Sequence, residues 1–282
     1  MAEITAAMVK ELRDRTGVGM SDCQKALKET QGDLEAAIDF LRKKGMVSAL
    51  KKESRETKEG MIVYAESDKI AVLVEVNAET DFVVNNAAFQ QFATNIAQEV
   101  VETQPASVSD LLTQTYSKDK TLTVDQYRAV TMQALGENIQ IKRLLCLPKA
   151  ANSTLVAYSH MKGKIVAVVE IEGSNKETTL GRDIAMHVAA EAPEYLDAQS
   201  VPAEVKEREE EIARSQAQGK PAAVVEKIVS GKFTGYCSQF CLVEQKFIKD
   251  PDLSIAEVVA KQAKELGTSL KIKQFIRWQV GA

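Results

Sequence analysis

Histidine, cysteine, tryptophan and phosphate-loop glycines are scarce in this chain, and each shortage removes a class of chemistry. There are two histidines in 282 residues, which leaves little for acid–base or metal work. His160 lies in YSHMKGK, read as a turn before a strand. His187 lies among apolar residues in DIAMHVAA, the setting of a packing residue. The four cysteines, Cys23, Cys146, Cys237 and Cys241, do not form a disulfide framework in a chain this long. Cys237 and Cys241 stand one helical turn apart without a second pair or two histidines nearby, so they read as buried small hydrophobes rather than zinc ligands. No serine or cysteine sits in a nucleophile elbow. No GxGxxG occurs, and GKP at 219–221 lacks the preceding glycine and the hydroxyl residue of a phosphate loop. No catalytic residue, metal site or cofactor site is expected, and the chain is not expected to be an enzyme.

Long apolar runs are missing as well. Nothing approaches the roughly 18 residues that cross a bilayer. The opening MAEITAAMVKELRDR, with Glu3 and Lys10, lacks the apolar core of a signal peptide. A net charge of -4 argues mildly against a phosphate backbone as the main partner. The expectation is a reduced, cytoplasmic protein with no membrane partner and no direct nucleic-acid partner.

What is present fits a soluble globular chain of two or three domains, with 45% apolar and 27% charged residues. Residues 1–45 read as three short helices. Met8, Val9 and Leu12 share one face of the first. Gly17 and Gly19 in RTGVGM can supply the positive φ of a tight turn. Ser21 and Gln24 have capping-box spacing at the start of the second helix. Asp33 is the expected N-cap of the third, whose Leu34, Ala37, Ile38 and Leu41 have helical periodicity and whose end is expected at Gly45. Residues 46–60 read as a charged linker. Between Arg42 and Lys58 there are seven basic and two acidic residues, with no aromatics interleaved for stacking on bases, which favours a solvated tether.

An internal repeat organises the rest. KIAVLVEV at 69–76 matches KIVAVVEI at 164–171, each with a glutamate before its end. IQIKRLL at 139–145 matches LKIKQFI at 270–276. Two related α+β subdomains follow, at 61–149 and 150–282, each built as strand, helical stretch and strand. The offsets of 95 and 131 leave about 36 extra residues in the second copy, and the charged, helical segment at 202–232, broken by Gly219, Lys220 and Pro221, supplies them as a helical hairpin. In AETDFVVNN at 78–86, Asp81 and Phe82 follow an apolar strand. Phe82 could be a core residue of a following helix with Asp81 as its N-cap, or the pair could be exposed and suited to a partner.

Several motifs together resolve the ambiguity. LRDRTGVGMSDCQKAL at 12–27, GDLEAAIDFLRKKG at 32–45, EVNAETDFVVNN at 75–86, GENIQIKR at 136–143, DIAMHVAA at 183–190, VPAEV at 201–205, GKP at 219–221 and EQKFIKDP at 244–251 stand in one order along nearly the whole chain. In that order they resemble the bacterial elongation factor Ts family. The resemblance implies an α+β fold with an N-terminal three-helix UBA-like module, two related core subdomains and an inserted coiled-coil hairpin. It implies guanine nucleotide exchange on elongation factor Tu, bound in its GDP-bound and nucleotide-free forms, with the nucleotide and Mg²⁺ belonging to that partner. It assigns Thr80, Asp81, Phe82 and Val83 to the turn that dislocates the partner's Mg²⁺, with Phe82 inserting between helices of its GTPase domain and Asp81 hydrogen-bonding there. Leu12 and Met20 match positions that pack on the GTPase domain, and His187 matches a helix near a β-barrel domain. Two departures stand out. The chain stops at FIRWQVGA, so the C-terminal helical extension of many members is expected to be absent. Lys246 stands where the family usually has proline.

Three rival readings make different predictions. A docking or chaperone-like relative would bind elongation factor Tu without speeding GDP release. An enzyme using Cys23 or Asp81 would turn over a substrate alone, but neither residue has a base near it in sequence. An RNA-binding protein using the 42–58 patch would show steeply salt-dependent affinity.

Overall fold

The computed structural model describes residues 4–282, and the chain divides into two compact units. The first holds the described residues up to Pro148 together with Met161–Lys164 and Gln279–Ala282. The second holds Lys149–His160 and Ile165–Trp278. The class is α+β, helices combined with small sheets.

The first unit opens with helices α1 (Ala6–Thr16), α2 (Met20–Glu29) and α3 (Leu34–Lys52). Thr5 caps α1 through its hydroxyl, and Gly17 at φ 68° ends it in the left-handed region. Gly19 has φ -59°, so only the first of the two loop glycines uses its conformational freedom. Gly19 is itself the N-cap of α2 and no side chain bonds there, so Ser21 and Gln24 do not form the expected capping box. The helix starts two residues too early for Ser21 to cap it. Asp33 does cap α3, accepting from the Ala36 amide at 3.0 Å. Val9, Leu12, Val18, Cys23, Ala26, Leu27, Ala37, Ile38 and Leu41 form the core of these helices.

The third helix does not end at Gly45. It continues to Lys52 and takes up half of the segment read as a linker. The reason is tertiary. Gly45 and Ala49 are buried, and this half of α3 packs along α7 (Val124–Leu135), which outweighs the roughly 1 kcal/mol cost of a helical glycine. Five of the seven basic residues between Arg42 and Lys58 also find partners: Arg42 with Asp119, Lys44 with Asp22, Lys52 with the Met132 carbonyl, Arg55 with Glu79 and Lys58 with Glu56.

Beyond α3, strands β1 (Glu59–Glu66) and β2 (Ile70–Ala78) pair antiparallel, and β2 pairs antiparallel with β3 (Ile139–Pro148), giving the order β1-β2-β3. Every residue of β2 is buried, as befits a central strand. Between β2 and β3 lie the short α4 (Asp81–Val84), α5 (Ala87–Thr103), α6 (Val108–Thr113) and then α7. Phe89, Phe92, Ile96 and Val100 recur at three- and four-residue steps on α5 and press into the core over β1 and β2.

The second unit repeats the sheet. Strand β4 (Ser153–His160) pairs antiparallel with β5 (Ile165–Glu172), and β8 (Lys271–Gln279) flanks β5 on its other side. The repeated apolar segments are thus the central strands β2 and β5. Their glutamates match too: Glu75 is buried and accepts from Arg143 Nε at 2.7 Å, and Glu170 is buried and accepts from Lys273 Nζ at 3.0 Å and Gln274 Nε2 at 2.7 Å. Helix α8 (Thr178–Glu191) packs on β4 and β5.

Helices α9 (Ala203–Gln216) and α10 (Ala222–Phe240) pack on each other as a hairpin, with Arg214 reaching Glu226 at 3.6 Å. α10 runs past residue 232 to Phe240, longer than the expected hairpin. Gly231 and Gly235 meet no neighbour, while Phe233, Tyr236 and Cys237 pack with Tyr195 and Val201 and hold the last turns helical. A short β6 (Lys246–Phe247) and β7 (Asp250–Ser254) pair antiparallel, and α11 (Ile255–Leu266) follows, capped by a reciprocal Ser254–Glu257 pair.

Candidate functional site

The turn after β2 is built to present two side chains. Thr80 caps α4 in extended conformation, its Oγ1 accepting from the Val83 amide at 3.4 Å. Asp81 is therefore the first residue of the helix and not its cap. Val84 is buried in the core and Val83 packs against it. Asn85 closes the other end, its Nδ2 donating to the Asp81 carbonyl at 2.9 Å. Asn86 then caps α5, accepting from the Ala88 amide at 2.8 Å.

With both valines turned inward, Asp81 and Phe82 face out. Phe82 is 85% exposed, more than any other exposed large apolar residue. The reading of Phe82 as a core residue is therefore wrong. Large aromatics usually gain about 2–3 kcal/mol by being buried. An aromatic left out on a turn held at both ends is unspent contact energy. The Asp81 carboxylate beside it accepts no hydrogen bond among the described residues.

Sequence reasoning missed the residues that hold this turn. The Thr80 amide donates to Glu137 Oε2 at 3.0 Å, and Thr80 Oγ1 donates to Glu137 Oε1 at 2.6 Å. In return the Asn138 amide donates to Glu79 Oε1 at 2.7 Å. Asn138 Nδ2 reaches the Glu53 and Arg55 carbonyls, and Arg55 pairs with Glu79 at 3.4 Å. The signal available was position: Glu137 and Asn138 between the helix-ending Gly136 and β3, and Glu79 between β2 and the turn.

Among the described residues no group of three or more His, Cys, Asp or Glu could hold a metal ion. No helix among them is long and apolar enough to cross a membrane. An apolar cleft of about 390 Å³ in the first unit is lined by Arg15, Val18, Leu41, Tyr116, Tyr127 and Ala134 among others, and no residue of the 80–83 turn lines it.

Comparison with known proteins decides the family. Residues 79–282 match the family model of Elongation factor TS. Elongation factor Ts of Protochlamydia amoebophila is 55% identical over 281 residues, covering all of both chains. Those of Chlamydia muridarum and Chlamydia caviae are each 46% identical over 282 residues, again with full coverage. The chain belongs to the elongation factor Ts family.

Membership in the elongation factor Ts family gives the chain a role in translation elongation. The structure places the family-derived positions unequally. Met20, at the start of α2, is 45% exposed. Leu12 is fully buried in the α1–α3 core and has no surface to offer. Its place in the apolar Met8–Val9–Leu12 face had already pointed inward. His187 is fully buried as well. Its Nε2 pairs with Gln245 Oε1 at 2.9 Å, and its Nδ1 accepts from the Ile248 amide at 3.4 Å, so the ring ties α8 to the β6–β7 hairpin. Burial pushes its pKa below the ordinary value against the opposing Gln245 bond, which keeps the ring neutral. Lys246 donates to the Asp252 carbonyl at 2.9 Å and pins β6 to β7.

Proposed function

We propose that this chain is a guanine nucleotide exchange factor of elongation factor Tu, and that Thr80, Asp81, Phe82 and Val83 are its acting turn. It makes and breaks no covalent bond. It binds the GDP-bound partner, Phe82 enters between helices of the GTPase domain, and Asp81 engages polar groups beside it. The partner's Mg²⁺ loses its supports, GDP loses its counter-charge, and GTP can load.

One observation carries the reading: the exposed Phe82, paired with Asp81, on a turn whose flanks are fixed. A buried aromatic at an interface is worth about 2–4 kcal/mol when truncated, enough to matter for exchange. Val83 and Thr80 support the turn from within. Met20 is a second contact on the α1–α3 module, read as a UBA-like docking piece. The α9–α10 hairpin is read as a coiled-coil arm, and the setting is the cytoplasm.

The thermodynamics are reciprocal. A factor that weakens GDP binding is itself weakened by GDP, so the incoming nucleotide expels it. A factor that bound both forms equally would shift nothing.

The test is stopped-flow release of a fluorescent GDP analogue from the cognate elongation factor Tu at several Mg²⁺ concentrations. Wild type is expected to speed release strongly, and Asp81→Ala and Phe82→Ala to lose most of the effect. Binding without faster release would make the chain a docking relative instead.

A further inference from the structure

We propose that Glu137 is the positioning residue of the exchange turn: its carboxylate fixes the direction in which Phe82 and Asp81 point. The inference rests on the exchange reading above and extends it to a residue outside the turn.

α4 has four residues, too few to hold itself together by helical bonds. Its order must come from outside. Val83 and Val84 anchor it by apolar packing, which sets depth and leaves rotation loosely defined. The side chains of Asp81 and Phe82 are exposed and add no restraint, and the Asn85 Nδ2 bond to the Asp81 carbonyl at 2.9 Å closes the turn on itself without tying it to the rest of the unit. At the trailing end Gln90 Nε2 of α5 donates to the Val84 carbonyl at 3.4 Å. At the leading end stands Thr80, and both of its hydrogen-bond donors go to one carboxylate: the amide to Oε2 at 3.0 Å and the hydroxyl to Oε1 at 2.6 Å. Two bonds from one residue to the two oxygens of one carboxylate restrict rotation as a single bond cannot. Because the acceptor is charged, each is among the stronger kind.

Glu137 can act this way only if it is held in turn, and it is. Gly136, at φ 83°, ends α7 and is followed at once by Glu137. Asn138, the next residue, is fully buried. Its amide is held by Glu79, and its side chain by the carbonyls of Glu53 and Arg55. The frame runs from the end of α3 through Asn138 to Glu137, and the turn hangs on it.

The experiment combines amide hydrogen exchange at Thr80 with stopped-flow release of fluorescent GDP from elongation factor Tu. It uses the full chain as wild type, Glu137→Gln, Glu137→Ala, Phe82→Ala and each Glu137 variant combined with Phe82→Ala. Glutamine keeps one acceptor and alanine none. Glu137→Gln is expected to lower both Thr80 amide protection and accelerated release by about tenfold, the scale of one charge-assisted bond, with a larger loss in Glu137→Ala. In the Phe82→Ala background each variant should cost much less than in wild type, because only the share carried by Asp81 is left to lose. If Phe82→Ala loses the acceleration while the Glu137 variants keep wild-type rates, the positioning role is overturned and the exchange reading stands. It is also overturned if the Glu137 variants cost as much in the Phe82→Ala background as in wild type, since that marks general damage. Wild-type release by Phe82→Ala overturns the exchange reading and the positioning role with it.

Discussion

Replacing Leu12 with alanine separates a core residue from a contact residue. Leu12 has no exposed surface and sits among eight other buried residues of the α1–α3 core. Truncating a buried leucine costs about 2–5 kcal/mol, and about 3 kcal/mol is a moderate value within that range. At about 0.05–0.15 kcal/mol per residue, helices α1–α3 hold only about 2–7 kcal/mol, so the loss is comparable to their whole stability. Local opening should rise roughly a hundredfold, since each 1.4 kcal/mol is about tenfold. Amide hydrogen exchange read by mass spectrometry should show α1 and α2 losing protection while α5 keeps it. Titration calorimetry should then show weaker binding to elongation factor Tu, as a result of the opening. Met20→Ala is the control: Met20 is 45% exposed, so protection should stay within about twofold while affinity drops. If Leu12→Ala weakens binding with α1 and α2 protection unchanged, Leu12 touches the partner directly and its buried placement does not describe the bound state.

Other substitutions test other joints. Gly45→Ala should be neutral or stabilising by up to about 1 kcal/mol in urea melts followed by helical circular dichroism, because a Cβ would meet the movable end of Gln133 at 2.7 Å and the helix gains propensity. Gly173→Ala should destabilise the second unit by more than about 2 kcal/mol, read by the fluorescence of Trp278, because Gly173 has φ 104° and a Cβ would lie 1.8 Å from the Ser269 carbonyl oxygen. His187, neutral and buried with Gln245, binds a proton on unfolding more readily than when folded. Its contribution is therefore present at neutral pH and lost as pH falls below about 6.5. In His187→Gln, the drop in urea midpoint between about pH 7.5 and about pH 5 should be smaller than in wild type.

The elements themselves were largely legible, because they follow from local pattern. The runs KIAVLVEV and KIVAVVEI are β-rich over their whole length, and they became β2 and β5, the middle strands of two sheets. Helix ends were less legible where another element decided them. Gly45 looks like a stop in sequence and is a close-packing point against α7 in space. Ser21 and Gln24 have capping spacing, but the chain enters α2 through Gly19. At the turn, residue types alone leaned toward Phe82 in the core, since an aromatic just past an N-cap suits the inner face of a helix. Burial of Val84 and capping by Thr80 decide it. Glu137 was invisible because its partner lies 57 residues away, and only the pairing of β2 with β3 brings them together.

The most direct test of the account is the affinity of the full chain for elongation factor Tu with and without GDP, measured by titration calorimetry. The account predicts much tighter binding to the nucleotide-free partner, by the same factor by which the chain weakens GDP, with Phe82→Ala collapsing the difference. Equal affinity for the two forms would contradict it, because such a chain could dock but could not drive exchange.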